Sequence, residues 1–143
     1  MKKLKFYTNL YNEICCAYED SYWNAQNDLK QQTEAMRYSL INITNSTKDV
    51  ITKERMSHRL YLLEDMLTIK NHIPVTESVL LDPTATFIIQ VADTKGYEIA
   101  MQTLKAQFVT HLVAIEDLAH YTTDEETKKL ILGTITELYK IIK

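Results

Sequence analysis

The stretch "LKFYTNLYNEICCAYEDSYWNAQNDLKQQTEAMRYSLINI", residues 4–43, carries apolar side chains three or four positions apart along its length. This spacing matches the turn of an α-helix and places the apolar side chains on one face. The series is Leu4, Tyr7, Tyr11, Ile14, Tyr18, Tyr22, Ala25, Leu29, Met36, Leu40 and Ile43, with Thr33 in the one wide gap. We therefore predict one long N-terminal helix over about residues 3–45. The polar run at 24–34 indicates a kink there, or a helix that projects and needs a partner.

The scarcity of backbone breakers points to the fold class. The 143 residues include only two glycines and two prolines, which leaves little room for hairpins and tight turns. No segment shows the sustained alternation of a strand. We expect a single all-α domain over residues 1–143, a bundle of four or five helices.

The later helices follow from capping and breaking residues. A second helix is predicted over about 48–71, after Ser46 and Asp49 at capping spacing and before Pro74. C-terminal helices are predicted over about 83–143. Gly96 either ends a third helix at Lys95 or lies inside a continuous one, at a cost of about 1 kcal/mol. Thr123 and Glu126 have the spacing of a capping box before the last helix.

Charge and hydropathy limit the classes of partner. The net charge is −3, and neither half of the chain is strongly basic, so nucleic acid is an unexpected main partner. No apolar run approaches the length of a membrane span, and the N-terminus does not resemble a signal peptide. Cys15 and Cys16 are adjacent, which suits free thiols in a reducing compartment. We expect a cytoplasmic protein, or one inside a particle assembled within the cell.

The segment "HLVAIEDLAH", residues 111–120, has the composition of a metal or acid–base site but not the spacing. His111 and His120 are nine positions apart, which places them on opposite sides of a helix. Glu116 and His120 share a face, as do Glu54 and His58, and each pair fits a surface ion pair. Phosphate loops, nucleophile elbows and dinucleotide fingerprints are missing from the sequence. We therefore expect no enzyme activity, cofactor or metal. A metal- or ligand-binding bundle core is the alternative, with His72 and His111 as the histidines to check.

Several helices carry more apolar surface than one buried face needs. The extra residues form a second stripe on the predicted helices or lie outside the main stripe: Phe6, Trp23, Ile51, Leu62, Met66, Ile69, Val109 and Val113. Either these helices bury two faces within one monomer, or the extra residues form an interface. The tyrosines of the first helix favour the interface, because a tyrosine hydroxyl needs water or a hydrogen-bond acceptor.

These patterns predict a non-enzymatic helical protein that interacts with copies of itself or with another protein. An oligomeric assembly subunit fits best, such as a structural or adaptor protein of a virus or phage. Nucleic-acid binding through a local patch is the weakest alternative. Its candidate residues are Lys2, Lys3 and Lys5, or Lys48, Lys53, Arg55 and Arg59.

Overall fold

Four α-helices make up the described part of the chain. The computed structural model describes residues 2–68 and 83–143, with side chains described over 14–68 and 86–143. The helices are α1 (Lys2–Ser46), α2 (Val50–Met66), α3 (Pro83–His120) and α4 (Glu125–Ile142). The all-α class and the long N-terminal helix are confirmed. Helix α2 ends before the predicted residue 71, and residues 69–71 lie outside the described part.

The chain packs as two compact units, and the prediction of a single domain over 1–143 stays a prediction. The four-helix unit comprises Asp28–Thr68 and Leu104–Lys143. The N-terminal unit comprises Met1–Asn27 and Ile69–Thr103, and its described side chains come from α1 and α3. Within residues 2–68 and 83–143, every helix falls short of the combined length and hydropathy that a membrane span requires.

The polar run of α1 is continuous helix, because its inward face is stabilised by hydrogen bonds. Thr33 is fully buried, and its hydroxyl donates to the carbonyl of Leu29 at 2.7 Å. Arg37 is 2% exposed, and its Nε donates to the Thr33 hydroxyl at 3.1 Å. The Arg37 guanidinium also donates to the carbonyl of Lys30 and to both carboxylate oxygens of Glu64 on α2. The desolvation cost of burying a charge is offset when the charge is paired and hydrogen-bonded, as the Arg37 guanidinium is.

The four-helix unit consists of two helical hairpins that share one pattern of burial. The first hairpin is 28–46 of α1 with α2, and the second hairpin is 104–120 of α3 with α4. Positions 75 residues apart are buried in both hairpins. These pairs are Leu29 and Leu104, Thr33 and Phe108, Arg37 and Leu112, Leu40 and Ile115, Thr44 and Ala119, Met56 and Ile131, Leu60 and Ile135, Leu63 and Leu138, and Leu67 and Ile142. The hairpins are therefore two copies of one structural repeat.

The N-terminal unit packs α1 against α3 through small side chains. Three positions on each helix are buried, four residues apart: Ala17, Ser21 and Ala25 on α1, and Ala92, Gly96 and Ala100 on α3. The Ser21 hydroxyl donates to the backbone carbonyl of Asp93 at 2.8 Å, which requires the two helices to lie close together. The predicted stripe was wrong at Tyr18 and Tyr22, which are 50% and 38% exposed. The Tyr18 ring lies beside Gly96 while half of the residue stays exposed.

Gly96 lies inside α3, which selects the continuous helix from the two alternatives for this glycine. Neither Gly96 nor Gly133 has a positive φ, which a glycine helix cap would need. A Cβ atom at Gly96 would lie 3.0 Å from Cδ1 of Tyr18 and 3.4 Å from the hydroxyl of Ser21. Glycine suits position 96 because it has no side chain that would contact Tyr18, and not because the backbone there needs a positive φ.

The two glycines predict different responses to alanine. Gly133→Ala should raise the free energy of unfolding by about 0.5–1 kcal/mol, because alanine favours helix and a Cβ there meets nothing within 4 Å. Gly96→Ala should raise the free energy of unfolding by less, or should lower it, because the Tyr18 ring has to move. Urea unfolding followed by circular dichroism measures both changes. An equal gain at the two positions would contradict the close contact at Gly96.

Candidate protein-binding surface at the loop end

The two hairpins are joined at their loops by a pair of aspartates. Asp49 is the N-cap of α2, and its side chain accepts from the Thr52 amide at 3.2 Å and the Thr52 hydroxyl at 2.8 Å. Asp124 is the N-cap of α4, and it makes the same two bonds to Thr127, at 3.3 and 2.6 Å. The expected caps at Ser46 and Thr123 are therefore wrong. Ser46 is the last residue of α1, and the aspartates occupy the extended cap positions.

Each aspartate also binds the loop of the other hairpin. Asp49 accepts from the amide of Thr123 at 3.1 Å and from the hydroxyl of Thr122 at 3.2 Å. Asp124 accepts from the hydroxyl of Thr47 at 3.1 Å, with a longer contact of 3.4 Å from the amide of Lys48. We call this reciprocal set the crossed caps. It brings both loops together at one end of the four-helix unit. Helices α1 and α3 end there, and α2 and α4 begin there.

The crossed caps favour ionised carboxylates. The backbone hydrogen bond from Thr123, followed by the bonds from Thr52, holds the pKa of Asp49 well below its usual value of 3.8. Hydrogen bonds from the hydroxyl and amide of Thr127 lower the pKa of Asp124 to about 2. Donors that bind the charged form of a carboxylate stabilise it against protonation.

The crossed caps predict a loss of stability in acid. Both pKa values are lower in the folded chain, so their contribution is complete above the unfolded value of 3.8 and is lost as pH falls through the folded values. Asp49→Asn with Asp124→Asn should lower the melting temperature at pH 6. It should also make melting less dependent on pH below about 4. Thermal unfolding from pH 6 to 2 tests this, with Asp117→Asn, an exposed carboxylate on α3, as control. A double variant with the wild-type pH dependence would contradict the assignment.

Two cavities flank the crossed caps, and the repeat relates them. The first has a volume of about 370 Å³ and is lined by Asp49, Ile51, Thr52, Arg55, Leu118, Tyr121 and Thr123. The second has a volume of about 310 Å³ and is lined by Asn42, Ile43, Ser46, Lys48, Asp124, Glu126, Thr127 and Leu130. Every residue of the first cavity has its partner, 75 positions away, in the second. The same backbone geometry therefore carries two different sets of side chains.

The first cavity lies beside an exposed apolar surface. Val50 and Ile51 occupy the first turn of α2 and are 68% and 62% exposed, and Tyr121 is 82% exposed. We call these three residues the loop-end patch. Their partners in the repeat are Glu125, Glu126 and Ser46. Acidic residues suit the positive end of the helix dipole, so the glutamates are the residues that helix stability favours at these positions. Valine and isoleucine provide no such benefit where they are exposed.

A groove between α2 and α3 continues from the first cavity and carries positive charge. It has a volume of about 490 Å³ and is lined by Glu54, Arg55, His58, Arg59 and Leu118. We call it the cationic groove. His111 on α3 is half-buried, and burial, followed by the charge of Arg59, lowers its pKa below 6.5.

The residues predicted as an interface occupy different environments. Ile51 and Val113 are exposed, at 62% and 47%. Trp23, Leu62, Met66 and Val109 are half-buried. The side chain of Phe6, and Ile69 and His72, lie outside the described residues. The structure thus brings Ile51 together with Val50, Tyr121 and Arg55, which sequence reasoning did not group with it.

A short repeated motif could have revealed this site. "TKDVIT" (47–52) and "TTDEET" (122–127) share threonine, aspartate and threonine at the same spacing. Aligning the two shows Val50 and Ile51 opposite Glu125 and Glu126. The helical periodicity of each segment alone does not show this contrast.

The described carboxylates and histidines of these segments do not pair with one another as expected. Glu116 accepts a hydrogen bond from the hydroxyl of Tyr139 at 3.3 Å, and the expected pair with His120 is not formed. Glu54 and His58 are both exposed, as expected, but they do not pair with each other. Among the described side chains, no three histidine, cysteine, aspartate or glutamate residues are grouped to hold a metal ion. Cys15 and Cys16 are half-buried and lie outside any disulfide.

Comparison of the chain with protein-family models, curated proteins and solved structures finds no match.

The charge around His111 predicts a measurable titration. Arg59→Gln should raise the pKa of His111 towards 6.5, because it removes a nearby positive charge. A histidine whose folded pKa is lowered binds fewer protons in the folded chain than in the unfolded chain. Stability should therefore rise with pH between the folded pKa and 6.5, less so in the variant. Titration of the histidine by NMR measures the shift. Lys129→Gln on α4 is the control, and an equal shift there would contradict a local effect of Arg59.

Proposed function

We propose that the chain is a non-enzymatic helical assembly subunit that associates with a second copy of itself through the loop-end patch. The observation that carries this proposal is the contrast within the repeat. Val50, Ile51 and Tyr121 are exposed where the equivalent positions hold Glu125, Glu126 and Ser46. The fold accepts polar residues at these positions, so packing within the chain does not explain the apolar ones.

A second copy suits a patch of this composition. Most soluble oligomers are symmetric homo-oligomers, and a two-fold axis brings the same patch of both subunits together. Tyrosine is prominent among residues that stabilise interfaces, and Tyr121 lines the same cavity as Ile51. The pairing would remove from water three side chains that are each more than 60% exposed.

The test is a double substitution that the repeat shows to be compatible with the fold. Val50→Glu with Ile51→Glu places at the start of α2 the residue type that starts α4. We expect the wild-type chain to have a mass that is a multiple of 16.7 kDa at low micromolar concentration. The variant should dissociate at least about ten times more readily and keep its helical content. Native mass spectrometry and circular dichroism measure these two properties.

A matched control adds two glutamates elsewhere. Tyr38→Glu with Tyr61→Glu changes the charge equally, and these tyrosines are 56% and 66% exposed away from the loops. This variant should keep the wild-type mass. A monomeric wild-type chain at every concentration tested, or equal dissociation of the two variants, would overturn the proposal.

A further inference from the structure

We propose that the cationic groove binds an acidic amphipathic helix of a partner protein, with carboxylates of the partner paired to Arg55 and Arg59. This inference goes beyond self-association, since it concerns a different surface and a different partner. It is carried by two arginines that make no ion pair with a described residue and by the apolar side chain of Leu118 beside them.

The repeat shows that the groove does not need its arginines for packing. Arg55, His58 and Arg59 correspond to Leu130, Gly133 and Thr134 on α4, 75 residues along the chain. Leu118 at the groove corresponds to Ile43. The equivalent surface between α4 and α1 is therefore built without these cations. Glu54 corresponds to Lys129, so the pair of arginines, rather than the net charge of the lining, distinguishes this groove from its counterpart.

The charges of the groove lack compensation inside the described part of the chain. Neither Arg55 nor Arg59 makes an ion pair or hydrogen bond with a described residue, whereas Arg37 on α1 is fully paired with Glu64. Arg59 and burial together disfavour the protonated form of His111. A bound carboxylate would pair with the guanidinium groups in a charge-assisted hydrogen bond and relieve this repulsion.

The shape and lining of the groove favour a helix over a small anion. A groove between two helices accommodates the apolar face of a third helix, with anchor residues three and four positions apart. Leu118 provides the apolar contact in the groove. Carboxylates on the flanks of such a helix would face Arg55 and Arg59.

The surrounding charge disfavours nucleic acid as the occupant. Glu54 lines the groove beside the arginines, and the chain as a whole carries a net charge of −3. A phosphate backbone needs a continuous basic surface, because its binding depends on many neutralised phosphates. An acidic helix needs only a few carboxylates placed opposite the arginines.

The experiment uses a labelled peptide and the full chain. The probe is an amphipathic helical peptide with leucines three and four positions apart and glutamates on both flanks, and its control has glutamine for every glutamate. Fluorescence anisotropy should show binding of the acidic peptide alone, weaker as salt rises from about 50 to 300 mM. Arg55→Gln with Arg59→Gln should weaken binding at least about tenfold. Binding should also raise the pKa of His111, read by NMR.

The matched control removes two positive charges from the other hairpin. Lys128→Gln with Lys129→Gln has the same net charge as the arginine variant and should change affinity less than about twofold. No binding of the acidic peptide, equal binding of its glutamine version, or equal losses in the two variants would overturn the proposal. Stronger arginine-dependent binding of a single-stranded oligonucleotide would also overturn it. The mass of the arginine variant, measured separately, shows whether self-association persists, so a failure here is distinguishable from a failure of the loop-end patch.

Discussion

The four-helix unit depends on two carboxylates that each perform two tasks. Asp49 caps its own helix through Thr52 and binds the opposite loop through Thr122 and Thr123. Asp124 repeats this arrangement through Thr127 and Thr47. Exposed backbone amides at a helix start need acceptors, and here the acceptors also fix the two hairpins relative to each other. The register of the buried side chains below the loops follows from this junction.

The internal repeat separates what the fold requires from what it only tolerates. Most buried positions are apolar in both hairpins. Thr33 and Arg37 are exceptions, because the equivalent positions of the second hairpin hold Phe108 and Leu112. The exception at Arg37 is compensated by Glu64, which satisfies the buried guanidinium. The loop-end patch and the cationic groove differ between the hairpins without any such compensation, and this is why they are the surfaces on which we base function.

Sequence patterns predicted the helices and most of the core, because amphipathic spacing reports which face of a helix is buried. Met56, Leu60, Leu63 and Leu67, and likewise Phe108, Leu112, Ile115 and Ala119, are buried as expected. Of the two alternatives for Gly96, the structure selects the continuous helix, where the missing side chain leaves room for the Tyr18 ring. Helical spacing predicts Tyr18 and Tyr22 on the buried face, but both are exposed, because small residues form the close contact between α1 and α3.

By itself the sequence determined the all-α class, the long first helix and the buried face of each helix, since these depend on contacts between near neighbours in the chain. Of the candidate site it predicted Ile51, but not its grouping with Val50, Tyr121 and Arg55. Only the tertiary structure decided that the loops meet, that Asp49 and Asp124 cross-bind, and that α2 and α3 enclose a groove whose arginines make no ion pair with a described residue. These features join residues 59 or more positions apart, and helical periodicity carries no information over that distance.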